Sequence, residues 1–267
     1  MSVINGNALL RLKEWFFQYS GSFCHEDPLR KECIDLKISH TLKVCALIKD
    51  LAENLKLSEE ETNLAEVIAL FHDVGRFEQL MRYGTFLDAK SINHAELGVE
   101  ILKEKKVFNG IDEKIQDIIF FSVSHHNRLE LPEKEDAQRL FFGRMIRDAD
   151  KLDIYAFSTN RFFQKDIPPN DPILLEVPDI PGISEEICRD ILSGAIVKQK
   201  NLKSLNDLKL LIASWVYDIN YERSFQIIHE KGYIEKIFSI LPETENTRKI
   251  YSNIQKHLNE KCSIASK

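Results

Sequence analysis

Nowhere in the 267 residues does an apolar run approach the roughly 20 residues that a membrane-spanning helix needs, so no membrane partner is expected. The amino-terminal stretch MSVINGNALLRLKEWF lacks a basic segment followed by an uninterrupted apolar core, and it reads poorly as a secretory signal. CxxC pairs are also missing. The five cysteines, at 24, 33, 45, 188 and 262, are an odd number at wide spacing. That pattern fits reduced thiols in a cytoplasmic protein better than a disulfide framework or a zinc ribbon. There is no basic run, and net charge is −6 with a pI near 5.8. Extended nucleic-acid binding normally requires a positive face, so nucleic acid is not an expected partner. Alternating β-branched runs bounded by turn residues are absent, so strand signals are lacking, and repeats and low-complexity tracts are absent as well.

What is present is apolar residues at helical spacing. At 43% hydrophobic residues the chain can offset its conformational entropy by burial, so disorder is excluded. Over 38–55, Ile38, Leu42, Cys45, Ile48, Leu51 and Leu55 form one predicted stripe. Leu64, Val67, Ile68 and Phe71 form another over 64–72. In SINHAELGVEIL, Asn93 stands three residues before Glu96, a capping-box arrangement that opens a helix near His94. Segment 112–126 carries Ile115, Ile118 and Ile119 toward His125 and His126, and segment 137–155 carries Phe142, Ile146, Asp150 and Ile154 at four-residue intervals. Five of the eight prolines fall between 168 and 181, where a helix cannot continue, so that stretch reads as a loop or boundary. The expectation is an all-α protein with a catalytic core over 1–165. A proline-rich connection and helical carboxy-terminal extension, 166–267, is expected to pack on that core.

Within this helical pattern lies a series of histidines and aspartates: His40, His72–Asp73, His94, His125–His126 and Asp150. Each falls on or at the end of a predicted helix. Imidazoles and carboxylates are ligands for borderline divalent cations such as Fe, Mn, Co and Zn, and facing helices can each project one ligand inward. Adjacent helical residues diverge by about 100°, so His72 and Asp73 can reach one ion from two directions. The second oxygen of Asp73 remains for a neighbouring ion. Taken singly, each histidine is more often a hydrogen-bonded core residue than a ligand. As a set, unpaired groups of this kind converging in a core would be costly without a cation.

The order His, His-Asp, His, His-His, Asp resembles the HD-domain superfamily of metal-dependent phosphohydrolases, over roughly residues 36–155. His40, His72–Asp73 and Asp150 match the minimal pattern. His94 with His125 or His126 resembles its two-metal branch. HDVG followed by Arg76 also resembles the HDIGK segment of HD-GYP phosphodiesterases, whose basic residue contacts phosphate. The GYP signature itself is missing, so cyclic di-GMP specificity does not carry over. Leu36 stands one turn before His40 where a carboxylate would serve a third metal, so a third ion is not implied. The resemblance implies an HD-type helical bundle. One metal would be held by His40, His72, Asp73 and Asp150, and a second by His94, one or both of His125 and His126, and Asp73 as bridge.

The implied reaction is attack on the phosphorus of a small, nucleotide-like phosphomonoester or phosphodiester by a metal-activated hydroxide. Asp73, Arg76 and Lys151 are the candidate catalytic residues. Arg76, like Arg82 and Lys90, is read either as a phosphate contact or as a solvated cation, and Lys151 either faces substrate or balances its acidic neighbours. Arg223 is a further candidate from the extension. His25, His229 and His257 read as structural or exposed, Asp148 and Asp153 as supporting or surface groups, and Trp215 and Tyr217 as core. Two other readings stand beside hydrolysis: a di-iron HD-type oxygenase and a nucleotide-binding sensor without turnover. A homo-oligomer is compatible with the extension.

Overall fold

The computed structural model describes residues 4–23, 26–164, 177–195 and 197–263. Most of the proline-rich stretch, His25 and Cys24 lie outside them. Among the described residues every regular element is helical: twelve α-helices and three short 3₁₀ turns. Among the described residues no helix is long and apolar enough to cross a membrane. Contacts divide the chain into two compact units, Met1–Asp153 and Ile154–Lys267.

In the first unit, α1 (Gly6–Gly21), α2 (Pro28–Asn54) and α6 (Glu113–His125) surround α3 (Glu59–Phe71). The reason is legible in α3 itself. A Ser58–Glu61 capping box starts it, and from Asn63 to Phe71 every residue is buried. A helix apolar on nearly all sides must be covered on all sides. Its two polar intruders are satisfied. Asn63 donates to the Ile4 carbonyl at 3.0 Å, and Glu66 pairs with Lys13 at 2.6 Å and Lys49 at 3.7 Å. His72 and Asp73 therefore emerge from the most enclosed helix of the unit.

The stripe expected on α2 is rotated. Ile34, Thr41, Val44, Cys45, Ile48, Leu51 and Ala52 are its buried residues, whereas Leu42 is exposed. Cys45, Ile48 and Leu51 are buried as expected, and Val44, one turn before Ile48, takes the place that apolarity alone assigned to Leu42. The rotation leaves His40 at the margin of the packed face.

After α3 the chain turns directly into α4 (Gly75–Tyr83), which Gly84 ends with φ +69°, a conformation that costs glycine little. Then α5 (His94–Glu104) crosses α4 closely. A Cβ on Gly75 would lie 2.1 Å from the His94 carbonyl oxygen and 2.7 Å from the Gly98 nitrogen. Glycine is thus required at the crossing. Asn93 caps α5 by accepting from Ala95 and Glu96 amides, but the Glu96 carboxylate pairs with Arg128 rather than returning to the cap. The expected capping box is only half formed, because a charged partner from the turn after α6 is available. Finally α7 (Ala137–Phe162) brings Asp150 and Asp153 into the first unit.

The second unit contains α8 (Glu185–Leu192), α9 (Leu205–Ser214), α10 (Glu222–Lys231), α11 (Tyr233–Ser239) and α12 (Glu245–Ser263). Buried Asp207 joins two helix starts by accepting from Ser184 N and Oγ at 2.8 and 2.7 Å and from Lys203 N at 2.9 Å. Trp215 packs edge-on to Tyr155. Tyr217, expected in the core, is 43% exposed and lies over His257. It belongs to a short 3₁₀ turn, Trp215–Asp218, in which only Val216 is buried.

Candidate metal centre

Four imidazoles approach one another in the first unit. His40 Nε2 lies 3.3 Å from His72 Nε2, and His94 Nε2 lies 3.0 Å from His126 Nε2. The far nitrogen of each ring is tied to an acceptor. His72 Nδ1 meets the Ala69 carbonyl and His126 Nδ1 the Val123 carbonyl, both at 2.7 Å. His40 Nδ1 meets Asp153 Oδ2 at 2.7 Å, and His94 Nδ1 meets both oxygens of Asp88 at 2.8–2.9 Å. An acceptor at Nδ1 keeps a proton there and leaves the Nε2 lone pair facing inward.

Two carboxylates complete the ring of acceptors. Asp73 Oδ1 is 3.1 Å from His94 Nε2 and 3.7 Å from His126 Nε2, while its Oδ2 is 3.7 Å from both His40 Nε2 and His72 Nε2. Asp150 Oδ1 is 3.1 Å from His40 Nε2 and 3.9 Å from His72 Nε2. Two groups of ligand atoms are close enough to hold a metal ion, His40–His72–Asp150 and His72–Asp73–His126.

The electrostatics are those of converging acceptors. Burial pushes His72 down to about 4 despite Asp73 and Asp150 nearby. It lowers His94 as well, reinforced by Arg76. Both are therefore neutral at pH 7. Burial alone would raise Asp73, yet the Lys37 ammonium and the surrounding imidazoles hold it well below the usual carboxylate range. Asp150 is likewise opposed by burial and held low by His40. His40 is the exception: burial works against its charge, but hydrogen bonds to Asp150 and Asp153 carry it up to about 9. Around Asp73 Oδ1, then, two ring nitrogens, from His94 and His126, converge with a carboxylate oxygen within 3.0–3.7 Å, each ring already tied to another acceptor at its far nitrogen. Such an arrangement repels itself unless a cation stands among them. The residues present fit a divalent metal, and the mixed nitrogen and oxygen donor set suits the borderline cations.

The double histidine divides. His126 joins the cluster, whereas His125 stacks on Phe121 with ring centroids 4.2 Å apart and turns Nδ1 toward the Phe121 carbonyl and Ser124. His125 lies outside both ligand groups; so does His94, which adjoins the second of them through Asp73 Oδ1 at 3.1 Å and His126 Nε2 at 3.0 Å. Arg76 sits at the edge of the cluster, its Nε 3.4 Å from Asp73 Oδ1 and its Nη1 bonded to Gln79, Asp88 and the Phe86 carbonyl. Lys151 is buried on α7 beside Asp150, and Asp148 is buried on the same helix. Arg82 pairs with Glu78 on the surface, and Arg223 pairs with Glu230 at 3.1 Å in the second unit.

Several participants carried little or no signal in the sequence. Lys37, one turn before His40, places Nζ 2.8 Å from Asp73 Oδ2 and 5.4 Å from the Phe86 ring centroid. Asp88 lies in a three-residue 3₁₀ turn yet accepts from His94, Arg76, Gln79 and Asn127, and is held down to about 2 although burial opposes it. Its only sequence signal is a carboxylate six residues before a candidate ligand histidine.

Fold and site together define an all-α protein in which, among the described residues, histidines and aspartates form two groups that could hold a metal ion. Residues 38–155 match the family model of the HD domain. HD domains are in general metal-dependent hydrolases that bind divalent cations through such histidines and aspartates. No curated protein and no solved structure matches the chain.

Proposed function

We propose that this HD domain is a two-metal phosphohydrolase acting on a phosphomonoester or phosphodiester of a small, nucleotide-like molecule. His40, His72, Asp73 and Asp150 would hold one divalent cation, and Asp73, His94 and His126 would hold the other. The observation that carries this reading is the placement of Asp73, whose two oxygens face two different histidine pairs. A carboxylate so placed is suited to bridging two cations rather than serving one. The cations would supply Lewis-acid activation of water and neutralise charge on the phosphate oxygens.

The chain's own residues complete the task. Asp153 and Asp88 orient His40 and His94 and raise their basicity toward a cation. Lys37 and Arg76 flank Asp73 on opposite oxygens, and both lie over the Phe86 ring. Arg76 Nε is a buried donor without a hydrogen-bond partner. Two cationic side chains at the edge of the cluster favour an anionic substrate and account for phosphate binding by a chain of net charge −6.

The test is to incubate protein loaded with Fe, Mn, Co or Zn with a panel of phosphate esters, with and without O₂. Phosphate release independent of O₂ is the expected outcome. Product formation that requires O₂ assigns the domain to oxygenase chemistry, and nucleotide binding without turnover assigns it to sensing. Either result ends the hydrolase reading.

A further inference from the structure

Arg147 stands on α7 one turn before Asp150 and is 3% exposed. Its Nη1 donates to the carbonyls of His125 and His126, each at 3.3 Å, and to that of Arg128, while Nη2 donates to the Leu129 carbonyl at 3.1 Å. These carbonyls belong to the last residue of α6 and the turn behind it. There the helix leaves its final carbonyls without intrahelical partners and gathers partial negative charge. A guanidinium is the side chain suited to this task. Its planar fork directs several donors at once, and it carries a charge that the helix end offsets.

The His126 ring is already fixed at Nδ1 by the Val123 carbonyl, but Val123 is on the same helix. That bond sets the ring's orientation within α6 and leaves the position of α6 relative to α7 undetermined. Arg147 supplies a constraint at the His126 end of α6, since its own helix carries Asp150, while Arg139 on α7 holds α6 farther back through Asp117. Asn127 adds a tether on the other side by donating to Asp88 and to Asn93 Oδ1, both at 3.1 Å.

We infer that Arg147 is a positioning residue for the second metal group, fixing the main chain at His126 and thereby the spacing between His126 on one side and Asp150 on the other. The inference rests on the two-cation reading above. Metal ligands must be held within a few tenths of an ångström, and supporting groups of this kind typically change metal affinity by about 10–100-fold. Lysine keeps the charge but cannot span carbonyls on two arms.

Metal-free wild-type protein and R147K are titrated with Mn²⁺ by calorimetry, with thermal midpoints measured in parallel and electron paramagnetic resonance reporting exchange coupling between paired ions. The wild type is expected to take up two ions and show the coupled signal. R147K is expected to remain folded and to bind the first ion within about threefold of the wild type. It should bind the second at least about tenfold more weakly and lose the coupled signal. Where R147K does not fold, R147Q takes its place. Two normal sites in the variant, or equal weakening of both, overturns the inference while leaving the two-cation reading intact. Unfolding of both variants overturns it too, because Arg147 is then a general scaffold residue. A wild type that binds fewer than two ions overturns the two-cation reading itself.

Discussion

Asp73 meets His94 Oδ1 to Nε2 at 3.1 Å, while the other oxygen of the same carboxylate faces His40 and His72. Removing this one side chain therefore removes a ligand from both proposed ions. Asp73→Ala is expected to lose both bound metals and all turnover, as measured by metal content after dialysis and by phosphate release. Loss of Asp150 acts on one group only, so Asp150→Ala should keep the ion at His94 and His126. A variant lacking Asp73 that retains two ions would remove the bridging role.

The neighbouring histidines 125 and 126 give a sharper contrast. His126→Ala deletes an inward lone pair 3.0 Å from His94 Nε2, so its second-ion affinity should fall by at least about tenfold and activity should follow. His125→Ala deletes a ring stacked on Phe121, and its effect should be on stability, about 1 kcal/mol, with metal stoichiometry unchanged. Calorimetric titration of the two variants side by side checks both expectations. The reverse pattern would exchange the roles.

The sequence revealed the helices and the histidine–aspartate series because each depends on spacing along one element. Apolar periodicity over 64–72 and 112–126 anticipates α3 and α6, and the HD-type order agrees with the family model matched over 38–155. What holds the ligands was hidden, because it depends on geometry between elements. Lys37 reaches Asp73 across 36 positions, Asp153 reaches His40 across 113, and Arg147 binds carbonyls, which leave no trace in residue identity. The split of His125 from His126 was equally unreadable: adjacent residues at a helix end face different ways, and only packing against Phe121 decides which turns inward. Rotation of the α2 stripe away from Leu42 has the same origin, since apolarity names candidates for burial and neighbouring helices choose among them.

The cation-free protein should have a stability maximum near pH 6.5. His72 has its folded pKa pushed down to about 4 from an unfolded value near 6.5, so its contribution is present above 6.5 and is lost as pH falls through 4. His40 is raised to about 9, so its contribution is present below 6.5 and is lost as pH rises through 9. The two slopes have opposite signs and meet between them. A cation at His40 must displace the proton that Asp150 otherwise accepts. Metal affinity should therefore rise with pH from 6.5 toward 9, by up to about tenfold per unit from this group. Thermal midpoints of the cation-free protein, and proton release on titration in buffers of different ionisation enthalpy, test the two halves. Affinity flat between pH 6.5 and 8 would contradict the second.

Gly75 offers a test of the frame rather than of the ligands. An added Cβ would lie 2.1 Å from the His94 carbonyl oxygen and 2.7 Å from the Gly98 nitrogen, both main-chain atoms that cannot swing aside. Relief requires α5 to move away from α4, and His94 is the first residue of α5. Overpacking of this kind costs about 1–3 kcal/mol, so Gly75→Ala should lower the thermal midpoint by several degrees. The displacement carries His94 Nε2 away from Asp73 Oδ1 while leaving His40, His72 and Asp150 in place on other helices. Second-ion binding should therefore weaken more than first-ion binding, by at least about tenfold. Gly98→Ala is the control, because its Cβ would meet the Val74 side chain at 3.2 Å and the Gly75 nitrogen at 3.3 Å, a milder overlap. It should show the same ordering with smaller shifts. Equal loss of both ions in Gly75→Ala, or no loss of either, would mean that the α4–α5 crossing does not set the position of His94.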